Sequence, residues 1–159
     1  MVDIVDVQTR SRIMASIKSK NTKPEILIRK ELHARGYRYR LHNENLPGKP
    51  DIVFPMYAAV IFINGCFWHG HNCHIFKAPR SNIDFWESKI SRNKQRDTEH
   101  ENKLTSMGWR IGVIWECSVS GKTRLNFDSL VKLIEDWLHS SEPHLVIEGS
   151  PLNQSKITV

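Results

Sequence analysis

The sequence predicts an α/β protein, one mixed β-sheet flanked by helices, in which an antiparallel meander joins a further strand through a helical crossover. Three observations carry this. Residues 58–63 (AAVIFI) form a continuous apolar run, the pattern of a central strand buried on both faces. A second such run, residues 109–115 (WRIGVIW), follows a long polar segment with the composition of a helix. Residues 127–138 then place Phe127, Leu130, Val131, Ile134, Trp137 and Leu138 on one helical face.

Taken in order, residues 10–19 (RSRIMASIKS) predict a short basic helix with Ile13, Met14 and Ile17 on one side. Thr22-Lys23-Pro24-Glu25 fits a capping box, with Thr22 as cap, Pro24 in the first turn and Glu25 reaching back to the cap amide. That helix runs to about Arg35 and stops at Gly36. Residues 37–42 alternate as a strand does, and residues 43–50 are turn chemistry centred on Pro47-Gly48. Residues 52–54 are a short strand that Pro55 ends, before the central strand at 58–63. Residues 65–82 are an irregular insert rich in Cys and His. Residues 84–107 form a long helix with five acidic and five basic side chains, stopped at Gly108. Pro143, Gly149 and Pro151 mark the last residues as a tail, so the expected organisation is one domain over residues 1–140 and a tail over 141–159.

Composition narrows the class of function. In 159 residues no apolar run approaches the ~20 needed to span a membrane, and the N-terminus lacks the basic-then-apolar pattern of a secretory signal. Three cysteines argue against a disulfide framework and for a reducing, cytoplasmic compartment. The net charge is +6, and it is uneven. Residues 10–50 hold eleven Lys/Arg against three Glu, whereas residues 126–159 hold two Lys against five Asp/Glu. A basic half of this kind suits a polyanionic partner, and equally a soluble protein with scattered surface lysines.

The densest chemical signal is Gly65-Cys66-Phe67-Trp68-His69-Gly70-His71-Asn72-Cys73-His74, with Cys117 just beyond a strand. Zinc takes four N or S ligands in a tetrahedron, and Cys66, His71, Cys73 and Cys117 supply a closed Cys₃His shell of the structural type. His69 and His74 compete with His71 for the fourth place. Zinc binding in small modules is worth roughly 10–16 kcal/mol, comparable to the whole stability of a domain, ~5–15 kcal/mol. It would fix a loop that has little packing of its own.

Pro50-Asp51 opens one strand, and the neighbouring central strand ends at Ile63-Asn64. Metal-dependent nucleases of the restriction-enzyme type begin similarly, although their usual Asp/Glu-x-Lys is replaced here by Ile63-Asn64-Gly65. Phosphodiester hydrolysis needs an activated water, charge relief on phosphate and help for the leaving oxygen. Mg²⁺ keeps most of its waters and takes one or two carboxylates, so Asp51, a backbone carbonyl at Ile63 and the phosphate itself suffice. His69 is a candidate proton shuttle. Glu25 is either an accessory acid or a plain helix cap.

The segments Leu46-Pro47-Gly48-Lys49-Pro50-Asp51, Gly65-Cys66-Phe67-Trp68-His69 and Trp115-Glu116-Cys117, with Phe85-Trp86 followed by Lys89, Asn93 and Arg96-Asp97, resemble the very-short-patch-repair endonucleases from about residue 9 to 137. The resemblance implies a restriction-endonuclease-like fold carrying one structural zinc, with Mg²⁺ for catalysis. It implies nicking of double-stranded DNA 5′ to the thymine of a G·T mismatch left by deamination of 5-methylcytosine. It further implies a DNA cytosine-5 methyltransferase as functional partner, no membrane, and a monomer. By the same resemblance Asp51 anchors magnesium, His69 is the catalytic histidine, Glu25 is an accessory acid, and Cys66, His71, Cys73 and Cys117 bind zinc. Phe67, Trp68 and Trp86 form a wedge into the duplex, Met14 enters from the minor-groove side, and Lys89 and Asn93 contact bases or phosphate. Two positions depart from the family pattern, in which the strand ends Thr-His. Ile63 still offers its carbonyl, whereas Asn64 cannot act as a base and serves only to position a water. A zinc-bearing DNA-binding module without catalysis, and a restriction-type nuclease for intact sites, are the rival readings.

Overall fold

The computed structural model describes residues 6–9 and 20–151. Met14 and the basic helix expected over residues 10–19 lie outside the described residues. The elements are α1 (Lys23–Ala34), β1 (Arg40–Leu41), β2 (Ile52–Phe54), β3 (Ala59–Asn64), α2 (Ile83–Ser106), β4 (Arg110–Trp115), α3 (Phe127–Leu138) and β5 (His144–Ile147). Short 3₁₀ turns follow β2 (Pro55–Tyr57) and β4 (Glu116–Ser118). The five strands form one sheet in the order β1-β2-β3-β4-β5. β1, β2 and β3 are antiparallel neighbours, while β3–β4 and β4–β5 are parallel. Helices α2 and α3 make the two crossovers, since parallel neighbours need a long connection. This is the mixed sheet flanked by helices that the residue pattern predicts.

Both faces of the sheet are buried, which is why β3 reads as an unbroken apolar run. On one face Ile52, Phe54, Ala59, Ile61 and Ile114 pack against Ile28 and Leu32 of α1 and Leu130, Val131, Ile134 and Trp137 of α3. On the other, Val53, Val60, Ile111 and Val113 pack against Leu104 of α2. Gly112 leaves room for the α3 indole against the sheet: a Cβ there would stand 3.2 Å from Cζ3 at the edge of the Trp137 ring. Among the described residues no helix is long and apolar enough to cross a membrane.

Three local expectations are corrected. The segment read as a tail over 141–159 contributes β5, whose backbone pairs with β4 from Ile111↔His144 to Ile114↔Ile147. Its burial pattern is exposed, intermediate, exposed, buried, so a four-residue edge strand carries little local signal. The strand expected over 37–42 is only Arg40–Leu41. The capping box does not form: Thr22 occupies the cap position without a side-chain hydrogen bond, and Glu25 Oε2 accepts from the Asn21 amide (3.0 Å). Glu25 is 2% exposed, turned inward rather than along the helix surface.

The topology gathers three chain segments at one end of the sheet. Antiparallel pairing sets the start of β2 beside the end of β3, and parallel pairing brings the end of β4 alongside, with Asn64 opposite Trp115. Asp51, the loop after Asn64 and Cys117 therefore converge.

Candidate active site and metal centre

Asp51, Ile63, Asn64 and His69 line one cleft of about 470 Å³, together with Lys20, His42, Lys49, Asp97 and His100. The cleft thus brings together the carboxylate and the histidine singled out in the sequence. Asp51 Oδ2 accepts a hydrogen bond from the Ile63 amide (2.7 Å), which fixes the carboxylate at the end of β3. Burial pushes the Asp51 carboxyl up to about 7; the Ile63 hydrogen bond opposes this, the nearby Glu25 charge adds to it, and His69 draws it down. His69 Nδ1 meets Asp97 Oδ2 at 2.5 Å, on the face that α2 turns toward the loop. Donation of Nδ1–H to Asp97 orients the ring and leaves Nε2 as the basic nitrogen.

Glu25 lies behind this cleft. Its Oε1 takes Arg29 Nη1 at 3.2 Å and His42 Nε2 at 2.8 Å. His42 follows β1, and its amide donates to the Asp51 carbonyl (3.2 Å). Glu25, His42 and Asp51 each offer one donor atom within 4.8 Å of the others.

A second set of donor atoms stands at the base of the loop: Cys66, His71, Cys73 and Cys117, all within 4.8 Å of one another. Tetrahedral bonds of about 2.3 Å to sulfur put thiolates about 3.8 Å apart, so the set fits a zinc ion with small adjustment. The competing histidines are otherwise engaged. His69 faces Asp97, and His74 Nδ1 meets the Thr123 hydroxyl (3.2 Å). Burial pushes the Cys66 and Cys117 thiols up. At Cys73 burial is outweighed by hydrogen bonds from the Phe76 amide, His71 and the Ile75 amide, which bring it to about 7. Burial thus keeps the Cys66 and Cys117 thiols protonated in the free protein, and zinc binding would displace those protons. Around the donors, His71 stacks on Trp115 (ring centroids 4.1 Å, planes 10° apart) and its Nε2 meets Glu148 Oε1 at 3.0 Å. The Gly149 amide donates to Cys117 Sγ (3.3 Å). The chain after β5 thereby closes over this centre.

Beyond it, Phe67 and Trp86 (5.3 Å between ring centroids), Trp68 and Trp86 (5.8 Å), and Phe67 and Phe76 (5.9 Å) form one aromatic cluster between loop and α2. Phe85 extends it and is 55% exposed. Lys89 Nζ lies within 6 Å of the rings of Trp68, Phe85 and Trp86. Asn93 Nδ2 donates to the Trp68 carbonyl (2.9 Å), and its Oδ1 accepts from Arg96, so this side chain ties the loop to α2. Gly70, at φ +61°, completes the same contact; a Cβ there would come within 2.6 Å of Ile90 Cγ2.

Three residues of this region carry no role in the sequence reading. Asp97 stands four residues after Asn93, so their shared helical face was legible. His42 and Glu148 gave no local signal: each reaches the site only through strand pairing, β1 with β2 and β5 with β4.

Known proteins resemble this chain over most of its length. A family model described as DNA mismatch endonuclease Vsr matches residues 2–75. The type II nicking enzyme V.XorIIP of Xanthomonas oryzae is 48% identical over 120 residues, covering 76% of this chain and 88% of the relative. The type II nicking enzyme V.NmeAIP of Neisseria meningitidis is 45% identical over 138 residues, covering 86% of this chain and 99% of the relative. The DNA mismatch endonuclease Vsr of Escherichia coli is 38% identical over 138 residues, covering 87% and 88%.

Proposed function

Because the chain belongs to the DNA mismatch endonuclease Vsr family, and is therefore a DNA endonuclease, we propose that it nicks double-stranded DNA 5′ to the thymine of a G·T mismatch, by magnesium-dependent hydrolysis at the Asp51–His69 cleft. One observation carries this reading: Asp51 and His69 open on the same cavity, and His69 is backed by Asp97. The nicking activity named for V.XorIIP and V.NmeAIP supports a cut in one strand.

Asp51 and the Ile63 carbonyl would hold Mg²⁺, which supplies charge relief on the phosphate and a more acidic water. The residues do the rest. Asp97 keeps the proton on His69 Nδ1, so Nε2 takes the proton from the attacking water. As that proton arrives, the carboxylate stabilises the imidazolium. Asn64, beside His69 at the end of β3, hydrogen-bonds and positions the water. Glu25 serves as an accessory carboxylate from behind the cleft, accepting from Arg29 and His42 and so holding that histidine in place.

Cys66, His71, Cys73 and Cys117 would hold a structural zinc; with four protein donors no position is left for substrate. Its task is to fix His69, three residues beyond Cys66. The rigid loop also mounts Phe67 and Trp68 against Trp86 as a wedge, and the family resemblance brings Met14 in from the minor-groove side. Unstacking a base step costs a few kcal/mol, least where pairing is already poor, and aromatic stacking returns about 1–3 kcal/mol per base. The sum favours a mismatch over intact duplex. Lys89 reaches phosphate or a base edge from the wedge, while Asn93 holds the wedge in place through Trp68. The deaminated substrate implies a DNA cytosine-5 methyltransferase as functional partner, and the chain acts as a cytoplasmic monomer.

End-labelled duplexes with one G·T pair, and matched controls, test this. Magnesium-dependent nicking 5′ to the mismatched thymine, absent in Asp51→Ala, is expected. Equal cutting of matched duplex, or cutting by Asp51→Ala, would refute it.

A further inference from the structure

We propose that His42 is a further protein ligand of the cleavage metal, giving the cleft a mixed nitrogen–oxygen donor set that prefers Mn²⁺ and similar first-row cations over Mg²⁺. This deepens the reading of the Asp51 cleft as a metal-dependent hydrolytic site and rests on it.

The argument starts from the two ring nitrogens. Nε2 of His42 faces two acceptors, Glu25 Oε1 at 2.8 Å and Asn21 Oδ1 at 3.2 Å. The Asn21 oxygen is identified as such because it also accepts from Arg29 Nη1 (2.8 Å). Nε2 therefore carries the proton, and in the neutral ring Nδ1 presents a lone pair. That lone pair stands 3.9 Å from Asp51 Oδ1. The separation is too long for a hydrogen bond, yet below the ~4.2 Å that two bonds of about 2.1 Å to one ion can span. The other Asp51 oxygen is taken by the Ile63 amide, so Oδ1 is the oxygen left to face a cation. The arrangement is Glu25, then imidazole, then an open position, then Asp51. A carboxylate behind the ring, fixing tautomer and orientation, is the usual support of a metal-ligating histidine.

The rest of the cleft agrees. Glu25 is 2% exposed and tied to Arg29 and the Asn21 amide, so the ring is held from behind. Where the family pattern puts a histidine at the end of the central strand, this chain has Asn64, and His42 brings an imidazole to the same cleft from β1. Imidazole suits transition ions, whereas Mg²⁺ favours an all-oxygen shell.

The test uses zinc-loaded full-length protein and Mn²⁺ as the probe. Mn²⁺ and Mg²⁺ affinities come from calorimetry, and nitrogen ligation from ¹⁴N modulation in pulsed EPR of bound Mn²⁺. Wild type is expected to show the nitrogen signal, and His42→Gln to lose it. His42→Gln is also expected to bind Mn²⁺ at least about tenfold more weakly while Mg²⁺ changes by less than about threefold. His69→Gln is expected to keep both signal and affinity. A nitrogen signal absent from wild type, persisting in His42→Gln, or lost in His69→Gln would overturn the assignment, as would failure of wild type to bind Mn²⁺. Asp51→Ala separates the two levels: if it still nicks, the hydrolytic reading of the cleft fails. If it loses both nicking and Mn²⁺ while His42→Gln keeps the nitrogen signal, only the role of His42 fails.

Discussion

Replacing Asp51 by Asn should destroy nicking and yet stabilise the magnesium-free protein, by an amount that grows with pH. The Asp51 side chain is 17% exposed, and its carboxyl is raised from 3.8 to about 7, first by burial and then by the charge of Glu25. A carboxyl raised on folding keeps its proton more tightly in the native state. Its contribution to stability is thus fully present below the unfolded value near 4 and is lost as pH rises through about 7. The displacement corresponds to about 4 kcal/mol, an upper bound because neighbouring groups relax. Asparagine keeps an oxygen to accept from the Ile63 amide and removes the ionisation. Urea unfolding of zinc-loaded wild type and Asp51→Asn, without magnesium, should give stabilities within about 1 kcal/mol of each other at pH 4.5. By pH 8 the variant should be ahead by about 2–4 kcal/mol. Added Mg²⁺ should close the gap by stabilising wild type alone. A stability difference independent of pH, or a variant weaker than wild type at pH 8, would refute the burial argument.

Asp97→Asn leaves the fold intact but offers His69 the wrong partner, so kcat for nicking should fall between about 10²- and 10⁴-fold with KM little changed, read in single-turnover assays. Cys73→Ser removes one zinc donor; zinc content by mass spectrometry should drop, and the loop should become protease-sensitive while the sheet still melts cooperatively. At Gly70, alanine meets both a positive φ and Ile90, and a loss of about 1–3 kcal/mol in denaturant melts is expected. Trp68→Ala should weaken binding to G·T duplex by about 1–3 kcal/mol and to matched duplex by less, measured by fluorescence anisotropy at fixed salt.

The contrast between Asp97 and His42 shows where sequence reading stops. Asp97 sits on a helix whose periodicity is local, so its face could be inferred from Asn93 four residues earlier. His42 follows a two-residue strand with no pattern of its own, and its position was set by backbone pairing with β2. Glu25 is a sharper case. Its spacing from Thr22 fitted a cap, and the folded chain turned it inward to Arg29 and His42.

By itself the sequence determined the mixed sheet, the central strand, helices α2 and α3, and the clustering of cysteine and histidine in one loop. Each of these is signalled by patterns local in the chain: apolar periodicity, turn chemistry, or Cys and His crowded within nine positions. Only the tertiary structure decided that His71 rather than His69 or His74 stands with the three cysteines, that residues 144–147 add an edge strand from which Glu148 and Gly149 reach that centre, and that Glu25, His42 and Asp51 meet. Those outcomes depend on pairing between segments far apart in sequence. There, side-chain type says what chemistry is available, while strand register says which groups touch.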